Sequence, residues 1–327
     1  MVQILEFEKE IFAVENQIRE LIALTHAYDY VGDITHEIAK LKKKLRHMKY
    51  EVFANLNGWQ KTQVARHSER PHTLDYARMM FSDFYELHGD RHGGYGPSIV
   101  GGMARFEGRA VMVLGHQKGS DMQEKIRRNF GMAQPEDYRK ALRLMKLAEK
   151  FSLPIVSFID TPGAYPGVDA EEKGQSEAIG ANLFAMSNLK VPLIAAVIGE
   201  GGSGGALAIG MGNRVLMLEH SIYSVISPEG CASILWADKE KTPQAAEALC
   251  LTAKDLLELK VIDQIVYEPL GGAHRNHNRM GLLLKKALRK HLAELSHYSP
   301  EELVKQRYGK FRNMGVFADI RDGQSHL

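Results

Sequence analysis

The chain has 327 residues, 44% hydrophobic and 25% charged, enough to bury a full core without covalent staples. Forty-two Lys and Arg against 40 Asp and Glu give a net charge of +2, so composition does not point to nucleic acid. Cys231 and Cys250, the two cysteines, lie outside any CxxC pair, which excludes a zinc ribbon made by this chain alone and suits a reducing compartment. No apolar run reaches the ~20 residues of a membrane-spanning helix. The N-terminal MVQILEFEKE carries acids too early for a secretory signal, and a cytoplasmic protein is expected.

Phe7, Ile11, Val14, Ile18 and Leu21 recur at alternating spacings of four and three, and Ile34, Ile38, Leu41, Leu45, Met48 and Val52 repeat the pattern. Each set makes an apolar seam on one helix face. DYVGD (29–33) separates them, with Gly32 for the turn and Asp33 as N-cap, so residues 1–57 read as an antiparallel helical hairpin. Its seams are free to pack on each other, on the body or on another subunit. The basic run KLKKKLRHMK (40–49) reads as a solvated face in preference to a binding patch. A connecting segment, 58–97, follows. NLNGWQKTQVARHSERPHT (55–73) is expected over the surface, LDYARMMFSDFYEL (74–87) as helix and GDRHGGYGP (89–97) as turns. His88 and His92 lack an acid at ligand spacing, which makes a metal pair the weaker reading.

From 98 to about 270 the pattern predicts a core of strands alternating with helices. SIVGGMARF and RAVMVLGHQ flank Glu107-Gly108 as a hairpin, and the polar stretch 117–135 reads as a loop. Helices are expected over 135–151, 169–188, 227–236 and 243–260, with Pro135 and Pro228 in first turns and Ser227 as a cap. PIVSFID (154–160), VPLIAAVI (191–198), RVLMLEH (214–220) and a segment around IDQIVYE (262–268) read as strands. ALAIG (206–210) is expected to open another helix. Terminal helices follow over 274–296 and 300–313 within a C-terminal part, 271–327, and RDGQSHL is expected to fray. The fold class is α/β with parallel strands covered on both faces.

Two glycine-rich breaks end two of these strands. GEGGSGG (199–205) satisfies G-x-S-x-G around Ser203, which permits a nucleophile elbow; Asp263 and His274 are the only downstream acid and base with tolerable placement. An elbow does not need Gly199, Gly202 and Gly204 as well. Bare glycine lets backbone approach a ligand, and the first turn of a helix leaves N–H groups unpaired. Gly204, Gly205 and Ala206 therefore read as backbone donors to an anion or a developing oxyanion; close helix–strand packing would explain only one or two of the glycines. DTPGAYPG (160–167) is the second break and offers Gly163 and Ala164. Neither break is a P-loop, and 199–204 fails as a dinucleotide fingerprint.

NFGMAQPEDYRKALRLMKLAEKF, FIDTPGAYPGVDAEEKGQSEAIGANL, VIGEGGSGGALAIG and YSVISPEGCASILW resemble the carboxyltransferase α subunits of bacterial acetyl-CoA carboxylases, and the match runs through about 98–260. The resemblance implies a ClpP/crotonase-type spiral of ββα units. It implies transfer of a carboxyl group from carboxybiotin, carried on a separate biotin carboxyl carrier protein, to acetyl-CoA, giving malonyl-CoA for fatty acid synthesis. A β subunit bearing a zinc ribbon, biotin carboxylase and an α2β2 heterotetramer are implied as partners, with no metal in this chain and ATP bound only by the wider complex. On this view Gly163, Ala164, Gly204, Gly205 and Ala206 donate to the departing biotin anion, Tyr165 and Pro166 shape a wall for biotin, and Ser203 is a small turn residue. No protein general base is required. Lys118, Lys125, Arg127 and Arg128 could equally meet a phosphate or carboxylate, or be solvated. Glu229 reads as a helix-start acid ahead of a hydratase acid. The competing functions are a self-sufficient acyl-CoA hydratase or isomerase, a serine hydrolase and an assembly scaffold.

Overall fold

The computed structural model describes residues 3–27 and 32–315; of the turn expected over 29–33, residues 29–31 lie outside the described residues, while Gly32 and Asp33, expected as turn and N-cap, already belong to the second helix, and the expected frayed end at 321–327 lies outside as well. Eight strands form one sheet: β1 (Ser82–Glu86), β2 (Ile99–Phe106), β3 (Arg109–His116), β4 (Ile155–Thr161), β5 (Leu193–Gly202), β6 (Arg214–Leu218), β7 (Ile222–Ser224) and β8 (Gln264–Val266). Their order is β1-β2-β3-β4-β5-β6-β8, with β7 paired to the far end of β5. β1, β2 and β3 run antiparallel, and the remaining pairs are parallel.

The β4 and β5 sequences are apolar on both faces, and successive side chains feed opposite cores. Ile155, Ile159, Leu193, Ala195 and Val197 pack toward the helices Pro135–Lys150 and Gln175–Asn188. Val156, Phe158, Ile194, Ala196 and Ile198 pack with Tyr76, Met80 and Leu284, from the helices Thr73–Met80 and His277–Leu295. Full burial of one such side chain contributes roughly 2 kcal/mol, and this two-sided burial fixes where both strands end. Pro135 opens its helix as expected, and Asp137 closes the turn by accepting the Gln134 N–H at 3.0 Å.

The N-terminal hairpin is present as α1 (Lys9–Ala27) and α2 (Gly32–Ala54). Val14, Ile18 and Leu41 form its seam, while Ile11 and Phe53 join Leu56 and Val64 of the body. Glu8 is fully buried between Arg275, at 2.7 Å, and His274, at 3.5 Å. Burial raises its pKa, but hydrogen bonds to His274 and Arg275 outweigh that and hold it at about 2. Glu8, His67 and His274 are close enough to share a cation, yet both His67 nitrogens are engaged, with the Glu69 N–H and the Gln3 carbonyl.

Several expectations are corrected. Residues 74–87 are not one helix: the helix stops at Met80 and β1 follows, bulged at Asp83 (φ +52°), because an open edge of β2 is available to pair. The segment 55–73 is not a surface wrap. It holds the helix Gly58–Ala65 and buries His67, Arg70 and His72, whose polarity is met by partners inside. The loop 117–135 contains the helix Met122–Arg127, capped by Asp121. The span 169–188 is two helices, Val168–Glu172 and Gln175–Asn188, broken at Gly174 (φ +81°). The span 243–260 is also two, Thr242–Ala248 and Ala253–Glu258, because Cys250 turns at φ +48° and Thr252 caps the second. The helix expected from Ala206, after GEGGSGG, starts early, at Ser203, and ends at Leu207.

Candidate active site

The two glycine breaks meet. A Cβ on Gly205 would lie 2.5 Å from Ala164 N and 2.6 Å from Gly163 C, and one on Gly202 would overlap the Pro162 carbonyl. Only glycine permits this approach of backbone to backbone. The helix Ser203–Leu207 has no side-chain cap. Among the described residues, the N–H groups of Gly204, Gly205 and Ala164 find no acceptor. Ala206 is the fourth residue of the helix, where intrahelical bonding ordinarily begins. The Gly163 N–H is already given to Thr161 Oγ1 at 3.1 Å, and Gly163 itself sits at φ +154°. Beside this junction lies an apolar cavity of about 340 Å³ lined by Ser203, Gly204, Leu207, Tyr223, Val225 and Leu256, among others.

Beneath the junction runs a chain of buried charges that sequence reasoning did not assemble. Lys118 Nζ lies 2.9 Å from Asp160 and 2.7 Å from Glu200. Glu200 also meets Arg66 Nε at 2.6 Å, and Arg66 grips Glu229 with both terminal nitrogens. His72 Nδ1 is 3.1 Å from Asp160. Burial pushes the Asp160 and Glu200 carboxyls up, but Lys118, with His72 and Arg66 respectively, more than offsets it and holds both below the usual range. Burial favours loss of the Lys118 proton, yet the two carboxylates raise its pKa. His116, fully buried beside them, is pushed down to about 4 by burial. The only sequence hint was that acids sat at the ends of two apolar strands.

The other candidates have surroundings of their own. Arg128 is buried against the Pro97 carbonyl, while Arg127 stays exposed beside Glu124. Lys125 lines a small cavity with Arg66 and Lys118. Tyr165 donates its N–H to Ala133 while its carbonyl accepts from Gln175. Glu229 does lie in the first turn of the helix Pro228–Trp236, but Arg66 holds it ionised, a poor state for a hydratase acid. Ser203 has the positive φ of an elbow, +48°. Its supposed partners lie elsewhere: Asp263 is bonded to the Val215 N–H and Lys310, and His274 stacks on His67 at 4.0 Å. His88 stacks on Tyr95 and pairs with Glu86.

Two glycine loops that touch at the ends of adjacent strands and leave N–H groups unpaired define a candidate oxyanion-binding site on an α/β sheet. Known structures share the fold. A Pseudomonas malonate decarboxylase hetero-tetramer in complex with coenzyme A aligns with a TM-score of 0.59 at 16% identity, over 72% of this chain and 92% of that one. The transcarboxylase 12S with methylmalonyl-coenzyme A bound aligns at 0.55 and 20%, over 71% and 44%. The family model described as acetyl co-enzyme A carboxylase carboxyltransferase-like matches residues 4–315. The acetyl-coenzyme A carboxylase carboxyl transferase subunit alpha of Geobacter metallireducens is 59% identical, over 96% of this chain and 98% of its own length. That of Bordetella pertussis is 56% identical over 97% and 98%. The chain belongs to the acetyl-CoA carboxylase carboxyltransferase α-subunit family.

Proposed function

We propose that this chain forms the carboxybiotin half of a carboxyltransferase centre completed by a β subunit that bears a zinc ribbon and holds acetyl-CoA. The product is malonyl-CoA for fatty acid synthesis, the assembly is α2β2, and its further partners are a biotin carboxyl carrier protein and biotin carboxylase in the cytoplasm. The observation that carries this reading is the contact of Gly205 with the Gly163–Ala164 peptide, which sets unpaired N–H groups from two loops at one junction. An apolar cavity beside convergent backbone donors suits the neutral bicyclic head of biotin. When bound, carboxybiotin supplies the carboxyl group, and its release leaves negative charge on the ureido oxygen. Gly204, Gly205 and Ala164 donate to that oxygen; Ala206 stands next in line. Gly163 serves the turn, its N–H being spent on Thr161. Each well-placed donor is worth roughly 3 kcal/mol of transition-state stabilisation. Tyr165 and Pro166 are assigned to the wall of the biotin site, and Ser203 to the turn without nucleophilic duty. The test is malonyl-CoA formation by the purified chain with and without its β partner: activity is expected only from the pair. Enoyl-CoA turnover by the isolated chain, lost in Glu229→Ala, would defeat the reading.

A further inference from the structure

Lys118 occupies a place its sequence context does not explain. It follows β3 by two residues, yet its ammonium reaches across the ends of the next two strands, to Asp160 on β4 and Glu200 on β5. All three side chains are largely buried, at 15%, 5% and 8% exposure. Here the sheet loses its register. Ile159 pairs with Val197, but Thr161 pairs with Gly201, so β5 takes four steps where β4 takes two. The Asp160 carboxylate fills the gap by accepting the Glu200 N–H at 3.1 Å. A Cβ on Gly199 would overlap that same carboxylate, which accounts for a glycine the junction itself does not need. Both donor loops begin at the residues immediately after this bulge, at Thr161 and Gly201.

We propose that Lys118 is a positioning residue for carboxyl transfer: by bridging Asp160 and Glu200 it locks the bulged strand ends so that the Ala164 and Gly205 N–H groups converge. The proposal rests on the functional reading above. Among the described residues only Lys118 bridges both carboxylates. Arg66 is committed to the other oxygen of Glu200 and to Glu229. His72 holds the far oxygen of Asp160, and His116 faces the Asp160 N–H. Arg70 is spent on Glu268, and Lys125 lines the adjoining cavity with no carboxylate bonded to it. Without the ammonium, two carboxylates would face each other around one N–H and repel. A shift of about 1 Å in a catalytic group can cost on the order of 10²-fold in rate.

The test uses the full chain copurified with its β partner and two variants, Lys118→Met and Lys118→Met/Glu200→Gln. Lys118→Met is expected to lose kcat on the order of 10²-fold with the acetyl-CoA KM changed less than about threefold. Removing the cation raises the carboxylate pKa values, so a proton shared between Asp160 and Glu200 can stand in for the ammonium as pH falls. The variant is therefore expected to regain kcat between about pH 8 and 6, relative to the unsubstituted complex. The double variant, whose amide donates to Asp160 without added charge, is expected to regain about tenfold or more at pH 8. Amide exchange over 161–164 and 201–206 should quicken in Lys118→Met alone. Wild-type kcat in Lys118→Met overturns the proposal, as does a loss that neither acid nor the second substitution relieves. If the unsubstituted complex makes no malonyl-CoA, the functional reading fails instead, and the exchange measurement alone decides whether Lys118 locks the loops.

Discussion

Replacing Gly205 with alanine adds one methyl group at the point where the two loops touch. That carbon would sit 2.5 Å from Ala164 N and 2.6 Å from Gly163 C, both main-chain atoms with no side chain to rotate away. Ordinary contact begins near 3.4 Å, so the loops must part by about 0.9 Å. Gly205 has no positive φ, so the cost is contact and not backbone strain. A displacement of that size at a donor pair is expected to lower kcat on the order of 10²-fold, about 2.7 kcal/mol in the barrier. The measurement is steady-state malonyl-CoA formation by the assembled complex, with thermal midpoint and subunit assembly followed alongside. Gly309→Ala, in the helix Pro300–Arg312, is the matched control. Its Cβ would meet nothing within 4 Å, and kcat should stay within about threefold. Equal effects of the two substitutions, or wild-type kcat in Gly205→Ala with the complex intact, would refute the two-loop reasoning.

Three further outcomes are expected. Ser203→Ala should keep carboxyl transfer within a few-fold, and a fluorophosphonate should leave the parent chain unlabelled, since Asp263 and His274 are both engaged elsewhere; labelling of Ser203 with loss of activity would restore the hydrolase. His220 is buried and held neutral, its pKa pushed down to about 4 by burial. The unfolded chain binds that proton first, near the ordinary histidine value of 6.5, so stability falls as pH drops from there toward 4, by up to roughly 3 kcal/mol. Melting curves from pH 7 to 4.5 should flatten in His220→Leu, and an unchanged slope would contradict this. Arg70→Met should destabilise by roughly 3–5 kcal/mol, because it strands buried Glu268, whereas Arg70→Met/Glu268→Met should recover part of that in urea unfolding. A double variant as weak as the single one would show that the Ile198 carbonyl, not the ion pair, is what Arg70 serves.

The strands at the centre were legible because their apolar runs fill both faces of a sheet, and that signal is local. Pro135, Pro228 and Ser227 marked helix starts for the same reason. The helical hairpin showed in its seam. What escaped were features decided by distant partners. β1 is a strand because β2 offers an edge, although SDFYE lacks the pattern of a buried strand. The segment 55–73 looked like surface because it is polar, but Arg70 is only 3% exposed once Glu268, nearly 200 residues away, neutralises it. Cys250 and Gly174 broke spans that read as single helices, by local backbone turns at positive φ. The glycine loops were visible as composition. Their contact was not, since nothing in either loop states how far the other lies.

The same distinction explains how a site without a general base can be specific. The glycines divide into separate duties: Gly199 makes room for the Asp160 carboxylate, Gly202 and Gly205 let one backbone lie on another, and Gly204 stands beside an apolar cavity. None of them supplies a functional group. In the proposed mechanism the chemistry lies in peptide N–H groups, whose direction is set by the strand ends, and those ends are held by Lys118, Asp160 and Glu200. Charge is kept below the junction, where Asp160, Glu200 and Glu229 are held by Lys118, Arg66 and His72. A carboxylate left unpaired at that depth would oppose the negative charge the donors are meant to receive. The buried cations therefore protect the polarity of the site as well as its shape.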